Sequence, residues 1–331
     1  MSETHHEDGS QRVFHSEPHT SGIDTGRKRK PPKNLVDGMI KALRPKQWVK
    51  NVLVLAAPAA AGADALFHSR VLLDVLLAFI VFCMGASSIY LINDARDVEA
   101  DRAHPTKRFR PIAAGVLPVG LAYAMAALLI VGSIGLSFLA TAGPQLAIVM
   151  AVYIALQLGY CFGWKHMPVI DIALVSSGFM LRTMAGGVAA GIVLSQWFLL
   201  VAAFGSLFMA SGKRYSEILL AEHTGAKIRK SLEGYTPTYL RFVWTLAATA
   251  LVMSYSLWGF QLSNAADGPA GVWYQVSMVP FTIAVLRYAA DVDRGNGGAP
   301  DEIALEDRAL QVLALLWLAC IAMAVYIIPM F

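Results

Sequence analysis

The feature that most constrains this chain is its series of apolar runs of about 18 to 25 residues, each long enough to cross a hydrocarbon core about 30 Å thick as an α-helix. Averages agree: 331 residues are 56% hydrophobic and only 15% charged, too apolar for a soluble chain of this length. A β-barrel would alternate apolar and polar residues with period 2, and these runs do not. The expected fold class is therefore all-α, a polytopic membrane bundle in which each span satisfies its own backbone hydrogen bonds.

Nine spans are expected, over residues 46–64, 71–92, 118–139, 144–163, 168–190, 195–212, 237–260, 272–290 and 306–330. The first is the weakest, because Lys46 and Lys50 stand at its start and Pro58 would kink it. An amphipathic segment around Leu35 to Leu43 precedes it and suits the membrane surface. With the N-terminus inside, all but two of the 27 Lys and Arg residues fall on the cytoplasmic side, the exceptions being Arg70 and Arg182. Residues 1–33 are polar and His-rich with no apolar core for a signal peptide, and read as a disordered cytoplasmic tail. Residues 34–331 form the nine-span domain. Cys83, Cys161 and Cys320 lie in apolar stretches without CxxC spacing, which argues against disulfides and zinc.

Function is sought in the two long cytoplasmic loops, 93–117 and 213–236, each longer than a helix connection needs. The first opens with YLINDARDVEADRAHPTKRFRPIAAG. At 100° per residue, Asn93, Asp94, Asp97 and Asp101 share an arc of about 100°, and Glu99 points away. Carboxylates on one helical face repel one another unless a cation neutralises them, and hard oxygens at this spacing suit Mg²⁺, which completes its shell with substrate phosphates. The alternative is an acidic helix end paired with its own Arg96, Arg102 and Lys107. Lys107, Arg108 and Arg110 follow the acids, the complement that a magnesium diphosphate needs.

Other polar residues join this face. Lys46, Gln47, Lys50 and Asn51 either snorkel to headgroups or hold a phosphate. Tyr160 and Lys165 bring a hydroxyl and a cation, whereas His166 reads as a surface residue. Arg182, midway along the fifth span, needs a wet or polar surrounding and marks a cavity wall. Asp171 shares its face, too far along the helix for direct pairing. Asp291 and Asp293, before GNGG, read as a solvated loop.

The string NDxxDxxxD at Asn93, Asp94, Asp97 and Asp101, followed by RPIAAG at 110–115, resembles the UbiA superfamily of intramembrane prenyltransferases over most of the chain from about residue 40. RPKQWVKN at 44–51, HPTKRFRPIAAG at 104–115 and GKRYSE at 212–217 are similar to its decaprenyl-phosphate phosphoribosyltransferase branch. One departure is informative. Typical members carry a second Asp-rich motif after span six; this chain has GKRYSEILLAEHTGAKIRK, with no Asp.

The resemblance implies transfer of 5-phosphoribose from 5-phosphoribosyl 1-diphosphate to decaprenyl phosphate at the cytoplasmic face of the plasma membrane, for cell-wall arabinan. Asp94, Asp97, Asp101 and Asn93 would hold Mg²⁺, Lys213 and Arg214 would bind phosphate, and Glu217 would orient them, contact ribose hydroxyls or help the metal. A Lys213 to Glu217 helical salt bridge is the plain alternative. An aromatic prenyltransferase of quinone synthesis would instead keep acids after span six. A transporter would place ionisable groups at mid-membrane on several helices. A homo-oligomer is compatible with this chain, and no nucleic-acid partner is expected.

Overall fold

In the computed structural model, residues 31–62, 67–224, 232–266, 268–294, 303 and 307–328 are described. Nearly all of the expected N-terminal tail, and residues 225–231 of the second cytoplasmic loop, lie outside them. Among the described residues the fold is all-helical, without strands.

The chain begins with α1 (Leu35–Ala42), capped by the Asn34 side chain, which accepts from the Asp37 N–H. Gly38 and Ala42 are buried while Leu35, Val36 and Ile40 stay exposed, as on a helix lying against lipid. Next comes an 11-residue 3₁₀ helix (Pro45–Leu55) and one α-helical turn, α2 (Ala56–Ala60). The regular first span expected over 46–64 is thus a tighter, narrower element. Its side chains are held laterally: Trp48 Nε1 donates to Ser87 Oγ and Asn51 Nδ2 to Cys83 Sγ.

The remaining elements are α3 (Ser69–Arg96), α4 (Val98–Ala103), α5 (Val119–Ser137), α6 (Gly143–Cys161), α7 (Ile170–Ala189), α8 (Gln196–Thr224), α9 (Pro237–Ala265), α10 (Ala270–Asp293) and α11 (Arg308–Ala322). Six of them, α3, α5, α6, α7, α9 and α11 with its continuation to Ile327, are long and apolar enough to cross a membrane. Their outward faces carry Leu128, Val131, Met253 and Leu315, all well exposed, as lipid-facing side chains are.

Helix α7 joins two packed halves. Its Ile172 belongs to a core with Phe208, Tyr215, Trp244 and Tyr288 from α8, α9 and α10. Its Ala185 and Ala189 belong to another with Val54, Phe82, Met150 and Tyr153 from the 3₁₀ helix, α3 and α6. The contact with the 3₁₀ helix depends on Gly186, where an added Cβ would sit 1.8 Å from the Val54 carbonyl oxygen. A third cluster, Ile89, Leu91, Ile92, Ile112, Leu117 and Cys161 among others, closes the end of the bundle where both long loops emerge.

Candidate active site

The acidic motif straddles a break between α3 and α4. Asp97 sits at that break with φ −88° and ψ 15°, yet its N–H still bonds the Asn93 carbonyl and its carbonyl still accepts from Asp101 N–H. Helical periodicity survives the break, so the acids remain on one face as their spacing predicts. Asp94 and Asp101 are each only 3% exposed. Glu99 points out to solvent and pairs with Arg102.

Each carboxylate of the motif is matched by a cation brought from elsewhere. Arg44 Nη2 contacts both oxygens of Asp94 at 2.6 and 2.7 Å. Arg110 Nη1 bridges Asp94 Oδ1 at 3.1 Å and Asp101 Oδ2 at 2.7 Å. Lys165 Nζ reaches Asp97 at 3.1 Å. Of the alternative partners, Arg102 does pair within this helix end, but with Glu99, and Arg96 lies over the Phe162 ring. Arg44 was not among the residues singled out in the sequence. It adopts a left-handed conformation (φ 54°, ψ 57°) beside Pro45 and stacks on Tyr90 at 4.7 Å. Its place at the head of the RPKQWVKN string, before a proline that disfavours the right-handed helix in the preceding residue, is a signal that could have drawn attention to Arg44.

Among the described residues no three His, Cys, Asp or Glu side chains already enclose a metal-sized point. The donor chemistry nonetheless fits a hard divalent cation, because Asp94 and Asp101 converge on one Arg110 nitrogen and so face a common positive charge. Asn93 stands alongside, its Oδ1 3.8 Å from the Cys161 thiol. Lys46 and Arg108 are exposed, and Lys107 is half-buried.

The second loop contributes a separate cluster. Arg214, its side chain 10% exposed, has Nε 3.3 Å from Asp171 Oδ2 and Nη1 3.3 Å from Glu217 Oε2. Arg214, which the resemblance implies binds phosphate, is flanked by two carboxylates, and Glu217 pairs with Arg214 where the plain alternative had Lys213. Asp171 is 1% exposed, and its other oxygen accepts a short hydrogen bond from the Tyr235 hydroxyl. Burial, and then that bond to Asp171, push the Tyr235 hydroxyl well above the ordinary phenol range. Tyr160 lies close to Arg214. Tyr160 and Cys161 thus stand between the acidic motif and this second cluster.

Three expectations change. Arg182 is enclosed, with Nε on Asn51 Oδ1 at 2.7 Å, Nη1 on the Gly178 carbonyl at 2.6 Å and Nη2 on the Tyr153 hydroxyl at 2.8 Å. Its charge is satisfied by internal partners and by rings on either side, so Arg182 and Asn51 staple the 3₁₀ helix to α7 away from the carboxylates. Asp291 is 7% exposed at the end of α10, and no solvated loop holds it. Asp293 accepts from the Tyr215 hydroxyl at 2.9 Å and from Arg241, anchoring GKRYSE to α9 and α10.

A helical membrane bundle with an acidic motif facing a ring of cations at one end is an architecture for polar chemistry on a lipid-borne group. The profile of the UbiA prenyltransferase family matches residues 51–305, and the chain belongs to that family. It is 78% identical over 327 residues to the decaprenyl-phosphate phosphoribosyltransferase of Corynebacterium glutamicum, covering 99% of this chain and 98% of that one. It is 64% identical to the enzyme of the same name from Mycolicibacterium smegmatis, over 89% of this chain and 95% of that one. A UbiA homolog from Archaeoglobus fulgidus, solved bound to GPP and Mg²⁺, superposes with a TM-score of 0.63 at 16% identity, covering 88% of this chain and 99% of that one. At that identity the likeness concerns the fold.

Proposed function

We propose that this protein transfers 5-phosphoribose from 5-phosphoribosyl 1-diphosphate to the phosphate of decaprenyl phosphate, releasing diphosphate. The observation that carries the reading is the cluster of Asp94, Asp97 and Asp101 against Arg44, Arg110 and Lys165, supported by relatives of that name at 61–78% identity.

Three cations already paired with the carboxylates of the motif are what a diphosphate demands, and a diphosphate would draw Arg44, Arg110 and Lys165 toward its own oxygens. The carboxylates so released, with Asn93, are the residues that would hold Mg²⁺. Such an ion would supply charge neutralisation of the leaving diphosphate. Lys213, Lys46, Lys50, Lys107 and Arg108 supply further positive charge for the 5-phosphate and the acceptor phosphate. As the bond from C1 to oxygen breaks, positive character develops on the ribose and negative charge on the diphosphate, where these cations stabilise it. The acceptor phosphate is already an anion near neutral pH and needs no strong general base.

The distribution of Lys and Arg supports nine crossings with the N-terminus and the site on the cytoplasmic side of the plasma membrane. The water-soluble donor then arrives from the cytoplasm while the polyprenyl tail stays in lipid. Membranes containing the protein, given labelled donor and decaprenyl phosphate, should form lipid-linked phosphoribose only with a divalent cation present. Absence of product from the wild type, or equal product from Asp94→Ala, would sink the reading.

A further inference from the structure

The cluster around Arg214 is electrostatically unlike the one around Asp94. One guanidinium lies between two carboxylates, Asp171 and Glu217, so the group is net negative. The two carboxylates already take up the Arg214 charge, so a neutral polar group suits this pair better than a phosphate does. The hydrogen-bonding capacity left over is specific. Among the described residues, Arg214 Nη2 has no partner and neither does Glu217 Oε1, although both side chains are largely enclosed, at 10% and 17% exposure. An unused donor and an unused acceptor, held together by the bond between Nη1 and Oε2, complement a vicinal diol, whose hydroxyls both donate and accept.

The pair is also unusually well braced. Asp171 Oδ2 lies close to Arg214 Nε but is not aligned for a hydrogen bond, leaving a buried carboxylate oxygen that fixes the guanidinium by charge. Its other oxygen is held by Tyr235, whose hydroxyl also accepts the N–H of Val169. Val169 has φ 70°, a conformation that a β-branched residue rarely adopts and that persists only where surroundings impose it. Gly234 presses on Pro168 so closely that a Cβ there would meet Pro168 Cγ at 2.5 Å. Two short segments, Pro168 to Asp171 and Gly234 to Tyr235, thus clasp each other directly behind Arg214.

We infer that Arg214 and Glu217 recognise the vicinal hydroxyls of the donor's ribose, with Asp171 and Tyr235 as positioning residues. The inference rests on the proposed phosphoribosyl transfer and names which part of that substrate the second loop reads. It also gives a reason for this chain to lack a second acidic metal motif. A pentose carries hydroxyls that an isoprenoid diphosphate does not, and a site built to bond a hydroxyl rejects ligands lacking it, because its own groups are then left unpaired.

The test is a comparison of 5-phosphoribosyl 1-diphosphate with its 2-deoxy and 3-deoxy analogues as donors, using full-length protein in membranes and decaprenyl phosphate as acceptor. The wild-type preference for the ribosyl donor, as a ratio of kcat/KM values, should shrink by about 10- to 100-fold in Glu217→Ala for at least one analogue. Glu217→Gln, which keeps an acceptor oxygen, should retain most of the preference. Differences in intrinsic reactivity between donors cancel in the ratio of ratios, and a reduced amount of folded variant cancels as well. A preference unchanged in Glu217→Ala, with the wild type active on the ribosyl donor, overturns this inference and leaves the transfer reaction standing. A wild type inert toward the ribosyl donor overturns both.

Discussion

Replacing Arg110 by Gln removes the one group among the described residues that pairs with both Asp94 and Asp101. Asp94 keeps Arg44, but among the described residues Asp101 has no other cation partner, and its side chain is only 4% exposed. Stranding a buried carboxylate by removing its partner costs about 3 to 5 kcal/mol. Arg110 is itself 27% exposed, so water reaches the pair and lowers that figure to about 2 to 3 kcal/mol. Thermal unfolding of the purified protein in chelator should show this loss for Arg110→Gln. Arg102→Gln, which releases the exposed Glu99 and a 3.3 Å bond to the Ala113 carbonyl, should show a much smaller loss. Added Mg²⁺ should then raise the stability of Arg110→Gln more than that of the wild type, because the cation no longer competes with a guanidinium for the same oxygens and stabilisation grows with affinity. Equal stability of variant and wild type in chelator, or an equal response to Mg²⁺, would refute the view that Arg110 occupies the place of a displaceable cation.

Gly186→Ala should cost about 3 kcal/mol or more, since the added carbon meets a backbone oxygen that no rotamer change can move; a normal melting temperature would contradict the packing of the 3₁₀ helix on α7. Arg287 lies 2.5 Å from Asp307, whose carboxylate also caps α11, and holds that carboxyl below its ordinary range. A depressed folded pKa contributes stability above the unfolded value that is lost as pH falls through the folded one. Asp307→Asn, which keeps the cap, should therefore flatten the acid limb of a stability profile, and an unchanged limb would count against the pair. Lys165→Ala removes the partner of Asp97 and, on the proposed reading, a ligand of the donor phosphate, and should raise KM for the sugar diphosphate by about tenfold or more with a smaller change in kcat.

Much of the fold could be read from periodicity alone. Uninterrupted apolar length announced the helices, and the one-sided placement of Lys and Arg announced which end to inspect. The acidic face was legible because it is local, with Asp94, Asp97 and Asp101 inside two turns. Arg110 and Lys165 were legible as cations of this face, but which carboxylate each meets was not, and Arg44 was not singled out, because Arg44 lies 50 residues from Asp94 and Lys165 lies 68 from Asp97. Arg182 shows the opposite failure. A charge at mid-membrane correctly announced a polar surrounding, but whether water or protein supplies it depends on Asn51 and Tyr153, distant in sequence. Asp291 and Asp293 were misread because a Gly-rich stretch nearby suggested a loop, whereas the preceding helix runs on to include them.

The 3₁₀ helix from Pro45 to Leu55 meshes with α3 like two gears of different pitch. Three residues of 3₁₀ helix rise about 6 Å, and so do four residues of α-helix. The contacts follow that ratio, Trp48 to Ser87 and then, three residues on and four residues back, Asn51 to Cys83. A single-residue insertion in either helix would throw the teeth out of step, and no one-residue change in the other could restore them. Length variation here should be tolerated only in matched increments of three against four, which makes this short segment a ruler against which the depth of the chain in the bundle is set.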